Sequence, residues 1–134
     1  MASVEAFQGP RVLVVEDEYV IAWDLARSLE GLGAKVVGPV GTLDAALDLL
    51  ARDGDIAGAV LDVELRGEVV FPVAAILQEK GLPFVFLSAK KRASAPAAFR
   101  DVQWFEKPAQ MSKVASHILG QIKAPAAVAT VAPL

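Results

Sequence analysis

The 134-residue chain has no cysteine, which excludes a disulfide framework and any thiolate metal site and suits a cytoplasmic protein. No apolar run approaches the roughly 18 residues of a membrane span, and Met1-Ala2-Ser3-Val4-Glu5 lacks the basic and apolar regions of a signal peptide, so no membrane partnership is expected. A formal net charge of −3 gives little general attraction to nucleic acid. The single histidine, His117, lies on a helical stretch with no second metal-ligating residue nearby; it reads as a solvated or half-buried helix residue and not as a phosphoryl donor. No internal repeat is visible, and nothing from Pro108 to Leu134 is acidic. The 54% of residues that are hydrophobic must therefore form a core, as in one domain whose sheet is covered on both faces.

Val12 to Val15 is a continuous apolar run, short enough for a buried parallel strand, and it ends on Glu16, Asp17 and Glu18. Helical spacing follows over 19–32, with Ile21, Leu25, Leu29 and Leu32 on one stripe. A strand over 35–40 leads to Thr42, a natural N-cap for a helix stopped at Asp53-Gly54. A third strand runs to Asp62, followed by a loop through Gly67 and a helix over 72–80. A fourth strand, 83–87, ends at Ser88; the stretch 89–101 leaves room for only a short or irregular fourth helix before a strand at 102–105. The last helix spans 111–123. The expected organisation is an N-terminal extension over 1–10, a domain over 11–122 and a flexible C-terminal tail over 123–134.

Strands alternating with helices predict an α/β fold, a doubly wound five-stranded parallel sheet with helices on both faces. In such a sheet the C-terminal ends of the strands form the site edge, so Glu16, Asp17, Asp62, Ser88 and Lys107 converge there. Clustered carboxylates repel, a cost that a cation among them relieves, and hard oxygen ligands favour Mg²⁺ over Zn²⁺. A Lys and a hydroxyl at the same rim suit an anion. The set fits phosphoryl transfer onto a carboxylate, with Asp62 as the attacking group.

Val-Val-Glu-Asp-Glu, Val-Leu-Asp-Val-Glu-Leu-Arg-Gly, Phe-Leu-Ser-Ala and Glu-Lys-Pro, in that order over 11–122, resemble the receiver domain of bacterial two-component response regulators. The resemblance implies the strand order 2-1-3-4-5, the flavodoxin-like order of this family. It implies that Asp62 is the phosphoacceptor, that Glu16, Asp17, Asp62 and the backbone carbonyl of Glu64 hold Mg²⁺, that Ser88 is the switch hydroxyl and Trp104 the switch aromatic, and that Lys107 binds phosphate and is joined to Pro108 by a cis peptide. The implied partners are a histidine kinase or histidine phosphotransfer protein upstream and a protein downstream, with a homodimer also compatible. Such a protein catalyses only its own phosphorylation and dephosphorylation. Gly38-Pro39-Val40-Gly41 and Pro-Phe-Val-Phe-Leu are similar to a stand-alone alphaproteobacterial receiver subgroup, which has Thr-Gly-Tyr where this chain has Ser88-Ala89-Lys90.

An aspartyl-phosphate hydrolase of the haloacid-dehalogenase type uses related chemistry, but it would carry its nucleophile on the first strand and further carboxylates after the Lys. A receiver-like interaction module without phosphorylation is the other alternative; the intact set of Asp17, Asp62, Ser88 and Lys107 speaks against it. With no DNA-binding or catalytic pattern after Lys123, the output is expected through a partner protein or by relay of the phosphate onward. Tyr19, Trp23 and Arg27, spaced four apart on the first helix, form a candidate partner surface. Glu64 and Lys90, each two residues beyond a site residue, are expected to face each other across the pocket entrance.

Overall fold

A computed structural model describes residues 9–131, with side chains as far as 122; the expected extension up to residue 8 and the final residues 132–134 lie outside it. Strand β1 (Arg11–Val15) leads to helix α1 (Tyr19–Gly31), β2 (Lys35–Val40), α2 (Leu43–Arg52) and β3 (Ile56–Asp62). A small antiparallel hairpin of β4 (Glu64–Leu65) and β5 (Glu68–Val69) precedes α3 (Phe71–Glu79), β6 (Phe84–Ser88), β7 (Trp104–Glu106) and α4 (Met111–Val131). The main sheet is parallel, in the order β2-β1-β3-β6-β7. Counting only its own five strands, this is 2-1-3-4-5, as expected.

The inner strands β1, β3 and β6 are almost wholly apolar because both faces are covered. Along β1, Leu13 and Val15 face a core shared with Leu50, Val73, Leu77 and Phe86, whereas Val12 and Val14 face Leu25, Leu29, Val114 and Ile118. Helices α2 and α3 therefore cover one face, and α1 and α4 the other. Burial of each such side chain contributes about 1.5–3 kcal/mol.

Local chemistry sets the joints. Thr42 caps α2 by accepting the Ala45 N–H at 3.1 Å, as its sequence position predicts. Asp53 ends α2 and takes a salt bridge from Arg11 at the start of β1. In β2, Gly38 has φ +96°, and a Cβ there would meet the Val40 nitrogen at 2.9 Å and the Val14 oxygen at 3.0 Å, so only glycine fits. The loop expected around Gly67 is instead the hairpin. Its two-residue turn, Arg66-Gly67, has positive φ at both residues, which matches the twist of paired strands.

Two other expectations change. Leu32 does not join the buried stripe of α1 but is 49% exposed, since the helix ends at Gly31 and the chain turns at Gly33. The stretch before β7, expected to hold a short or irregular fourth helix, holds two 3₁₀ turns, Arg92–Ser94 and Ala97–Phe99. The last helix continues past Lys123 through Pro125 to Val131, so the segment expected as a flexible tail begins as helix, in keeping with the high helix propensity of its alanines.

Candidate functional site

The β1 backbone delivers Glu16 and Asp17 to the C-terminal edge of the sheet, where the Glu16 N–H donates to the Val40 carbonyl at 2.9 Å and holds the chain against the end of β2. Asp62 is the last residue of the neighbouring β3, and Ser88 the last of β6. Lys107 follows β7, and its N–H donates to the Ser88 carbonyl at 2.7 Å. The Lys107–Pro108 peptide is cis. All five residues expected at one edge are at that edge.

Carboxylate oxygens of Glu16, Asp17 and Asp62 lie within 4.8 Å of one another. Glu16 and Asp62 are buried and Asp17 is half-buried. Lys107 Nζ stands 3.1 Å from Glu16 and 3.3 Å from Asp62 Oδ2. Burial first, and Glu16 second, push the Asp62 carboxyl up to about 8, against the opposing pull of Lys107. The Lys107 ammonium is raised: Glu18, Glu16 and Asp62 outweigh the desolvation that acts first and in the other direction. Glu16 Oε1 is buried, and its contact among the described residues is the ion pair with Lys107 Nζ at 3.1 Å. Three carboxylates that offer oxygens within 4.8 Å of one another are an all-oxygen donor set that a hard cation fits.

Around this centre, the Glu64 N–H donates to Asp62 Oδ1 at 3.3 Å, and Ser88 Oγ accepts the Lys90 N–H at 3.0 Å. Glu64 and Lys90 form the expected ion pair at 3.0 Å. Both side chains are about half exposed, so the pair is worth about 0–1 kcal/mol. Trp104 is buried against Phe86 and donates its indole N–H to the Lys90 carbonyl at 2.8 Å, while Phe105 packs half-buried on the core of the opposite face. His117 is half-buried, edge-on to Phe105 and 3.2 Å from Gln121, away from the site.

Tyr19 and Trp23 are 79% and 53% exposed, with the Arg27 guanidinium 4.9 Å above the Trp23 ring. They border a cavity of about 360 Å³ that Ala22, Ala26, Pro39 and Arg66 also line and that reaches Glu16 and Asp17. Two participants were not singled out from the sequence. Arg66 is one; its place in a tight turn gave no signal. Glu18 is the other: its carboxylate lies 2.7 Å from Lys107 Nζ. The acidic run had pointed to it, but not to its partner.

No family model and no curated protein matches the chain. Solved structures do. SdrG from Sphingomonas melonis Fr1 is 37% identical over 87% of this chain and 98% of SdrG, with a TM-score of 0.73. SdrG of Pseudomonas melonis Fr1, in its BeF3-activated conformation, is 39% identical over 84% of this chain and 95% of that one, with a TM-score of 0.67. A CheY-like response regulator receiver domain from Methylobacillus flagellatus, 24% identical over 85% of this chain and 98% of its own length, has the same fold at a TM-score of 0.70. With the receiver strand order, an acidic cluster at the C-terminal edge of the sheet and 37% identity to SdrG over 87% of this chain and 98% of that one, the chain belongs to the receiver-domain family of two-component response regulators.

Proposed function

We propose that this receiver accepts a phosphoryl group on Asp62 from the phosphohistidine of a histidine kinase or phosphotransfer protein in the cytoplasm, and signals through a downstream protein. The observation that carries the reading is the cluster itself: one Lys and three carboxylates from three separate strand ends, gathered within a few ångströms. Such a gathering of like charge is costly for stability and serves a bound cation and an incoming anion.

Glu16, Asp17 and Asp62, with the Glu64 carbonyl, would hold Mg²⁺; when bound, it supplies positive charge that keeps the carboxylates ionised and offsets charge on the transferring oxygens. The protein's own groups do the rest. An Asp62 oxygen forms a bond to phosphorus as the donor's P–N bond breaks, and the electron pair leaves with the imidazole nitrogen. Lys107 balances the charge that arrives with the phosphoryl oxygens. Ser88 Oγ, accepting from the Lys90 N–H, keeps its own proton free to donate to one of them. Trp104 is placed to follow that event, because its indole hydrogen-bonds to the carbonyl of the same Lys90. The BeF3-activated conformation of SdrG supports the reading, since BeF₃⁻ is a tetrahedral stand-in for a phosphoryl group.

Acetyl phosphate with Mg²⁺ tests it. Intact mass should show a single added phosphoryl group on the wild type, none without Mg²⁺ and none on Asp62→Asn. Equal labelling of Asp62→Asn would refute the assignment.

A further inference from the structure

An ammonium has three protons, and that of Lys107 faces three carboxylates: Glu18 Oε1 at 2.7 Å, Glu16 at 3.1 Å and Asp62 Oδ2 at 3.3 Å. No donor is left over. The shortest contact goes to the most exposed partner, since the Glu18 side chain is 60% exposed against 1% for Glu16 and 6% for Asp62. Glu18 also occupies the N-cap position of α1 without capping it by a side-chain hydrogen bond. Its carboxylate reaches instead to a lysine 89 residues away in sequence, on the far side of the sheet order.

We infer that Glu18 is a latch on Lys107, a positioning residue that occupies the donor an incoming phosphoryl anion needs. The inference rests on the phosphoacceptor reading of Asp62. An anion arriving at Asp62 must take one of the three Lys107 donors. Giving up Glu16, whose side chain is 1% exposed, would strip a buried carboxylate of its lysine partner, which is costly. Releasing Glu18 returns an exposed carboxylate to water, which is not. The Glu18 pair therefore opens as the anion binds, and the unmodified protein resists anions that lack the charge and shape to displace it.

The alternative is that Glu18 merely orients Lys107, and the two roles differ in sign. Removing a latch tightens anion binding; removing an orienting group weakens it. The test is an equilibrium titration of BeF₃⁻ with saturating Mg²⁺, read by backbone amide chemical shifts, on the wild type, Glu18→Gln, Glu18→Ala, Asp24→Asn and Asp62→Asn. Asp24 is an exposed carboxylate on the same helix and controls for general charge. Glu18→Gln and Glu18→Ala should bind about two- to fivefold more tightly than the wild type, and Asp24→Asn like the wild type. Unchanged or weaker binding by both Glu18 variants overturns the latch, and equal tightening by Asp24→Asn overturns it in favour of general charge. If the wild type itself fails to bind BeF₃⁻, the phosphoacceptor reading fails and takes the latch with it; wild-type binding that Asp62→Asn loses leaves that reading standing whatever Glu18 does.

Discussion

Asp62 is buried at the end of an apolar strand, and the same burial that fixes its position opposes its ionisation. Its carboxyl, raised from 3.8 to about 8, keeps its proton in the folded protein over a range in which the unfolded chain has lost it. The unfolded state thus binds fewer protons across that window, and cation-free stability should fall as pH rises from about 4 to about 8 and level off above. Asp53, lowered chiefly by its hydrogen bond from Arg11, has the opposite sign and acts only in more acid solution, where that pair's contribution is lost as pH falls. Urea denaturation without metal should therefore find Asp62→Asn more stable than wild type at pH 8 by about 1–3 kcal/mol, with its midpoint much less sensitive to pH between 5 and 8. Saturating Mg²⁺ should narrow the gap by stabilising the wild type. An Asp62→Asn protein no more stable than wild type at pH 8 would mean that burial is not what raises this carboxyl.

The element with the least regular sequence, residues 89–101, is nevertheless anchored. Its second 3₁₀ turn buries Phe99 among Phe71, Phe84 and Phe86, at ring-centroid distances of 5.6–6.1 Å, and Gln78 Nε2 donates to the Ala98 carbonyl at 3.0 Å. Short 3₁₀ turns have weaker internal hydrogen bonding than an α-helix, so tertiary contacts must hold the segment. Phe99→Ala should cost about 3–5 kcal/mol in chemical denaturation. Amides of 89–101 should also exchange faster than those of β3, because the lost ring tethers that segment rather than the sheet. Uniform acceleration across both would place Phe99 in the global core instead. The segment begins at Ser88 and hangs from Trp104 through Lys90, so its anchoring bears directly on the site.

For the molecule as a whole, the sheet edge leaves one side of the site open along α1. Tyr19, Val20 and Trp23 are exposed there beside a cavity that runs to Glu16 and Asp17. The Trp23 ring packs under Arg27 rather than into either core, so its truncation should leave stability nearly unchanged. Trp23→Ala should keep wild-type labelling by acetyl phosphate, which needs no docking surface, while phosphoryl transfer from a cognate histidine phosphodonor slows about tenfold or more, as for a loss of at least 1.4 kcal/mol. Transfer at the wild-type rate from that protein donor would exclude this face from docking.

Much of this was legible in the chain itself, for a definite reason. A parallel strand covered on both faces needs apolar residues at nearly every position, so β1, β3 and β6 read as continuous runs; β3 and β6 end on Asp62 and Ser88, and Glu16 follows β1 directly. Given the alternation of strands and helices, handedness then brings Glu16, Asp17, Asp62, Ser88 and Lys107 together without further information. Other features depended on three-dimensional neighbours. Strand β7, with three residues, is too short for alternation to tell which core each aromatic joins; Trp104 packs on Phe86 and Phe105 on the core of the opposite face. The hairpin after Asp62 has strands of two residues, below any readable period. Glu18 follows a strand like any solvated turn acid, and its role turned on where an ammonium from another strand end came to rest, since an ion pair is set by distance in space and not by separation along the chain.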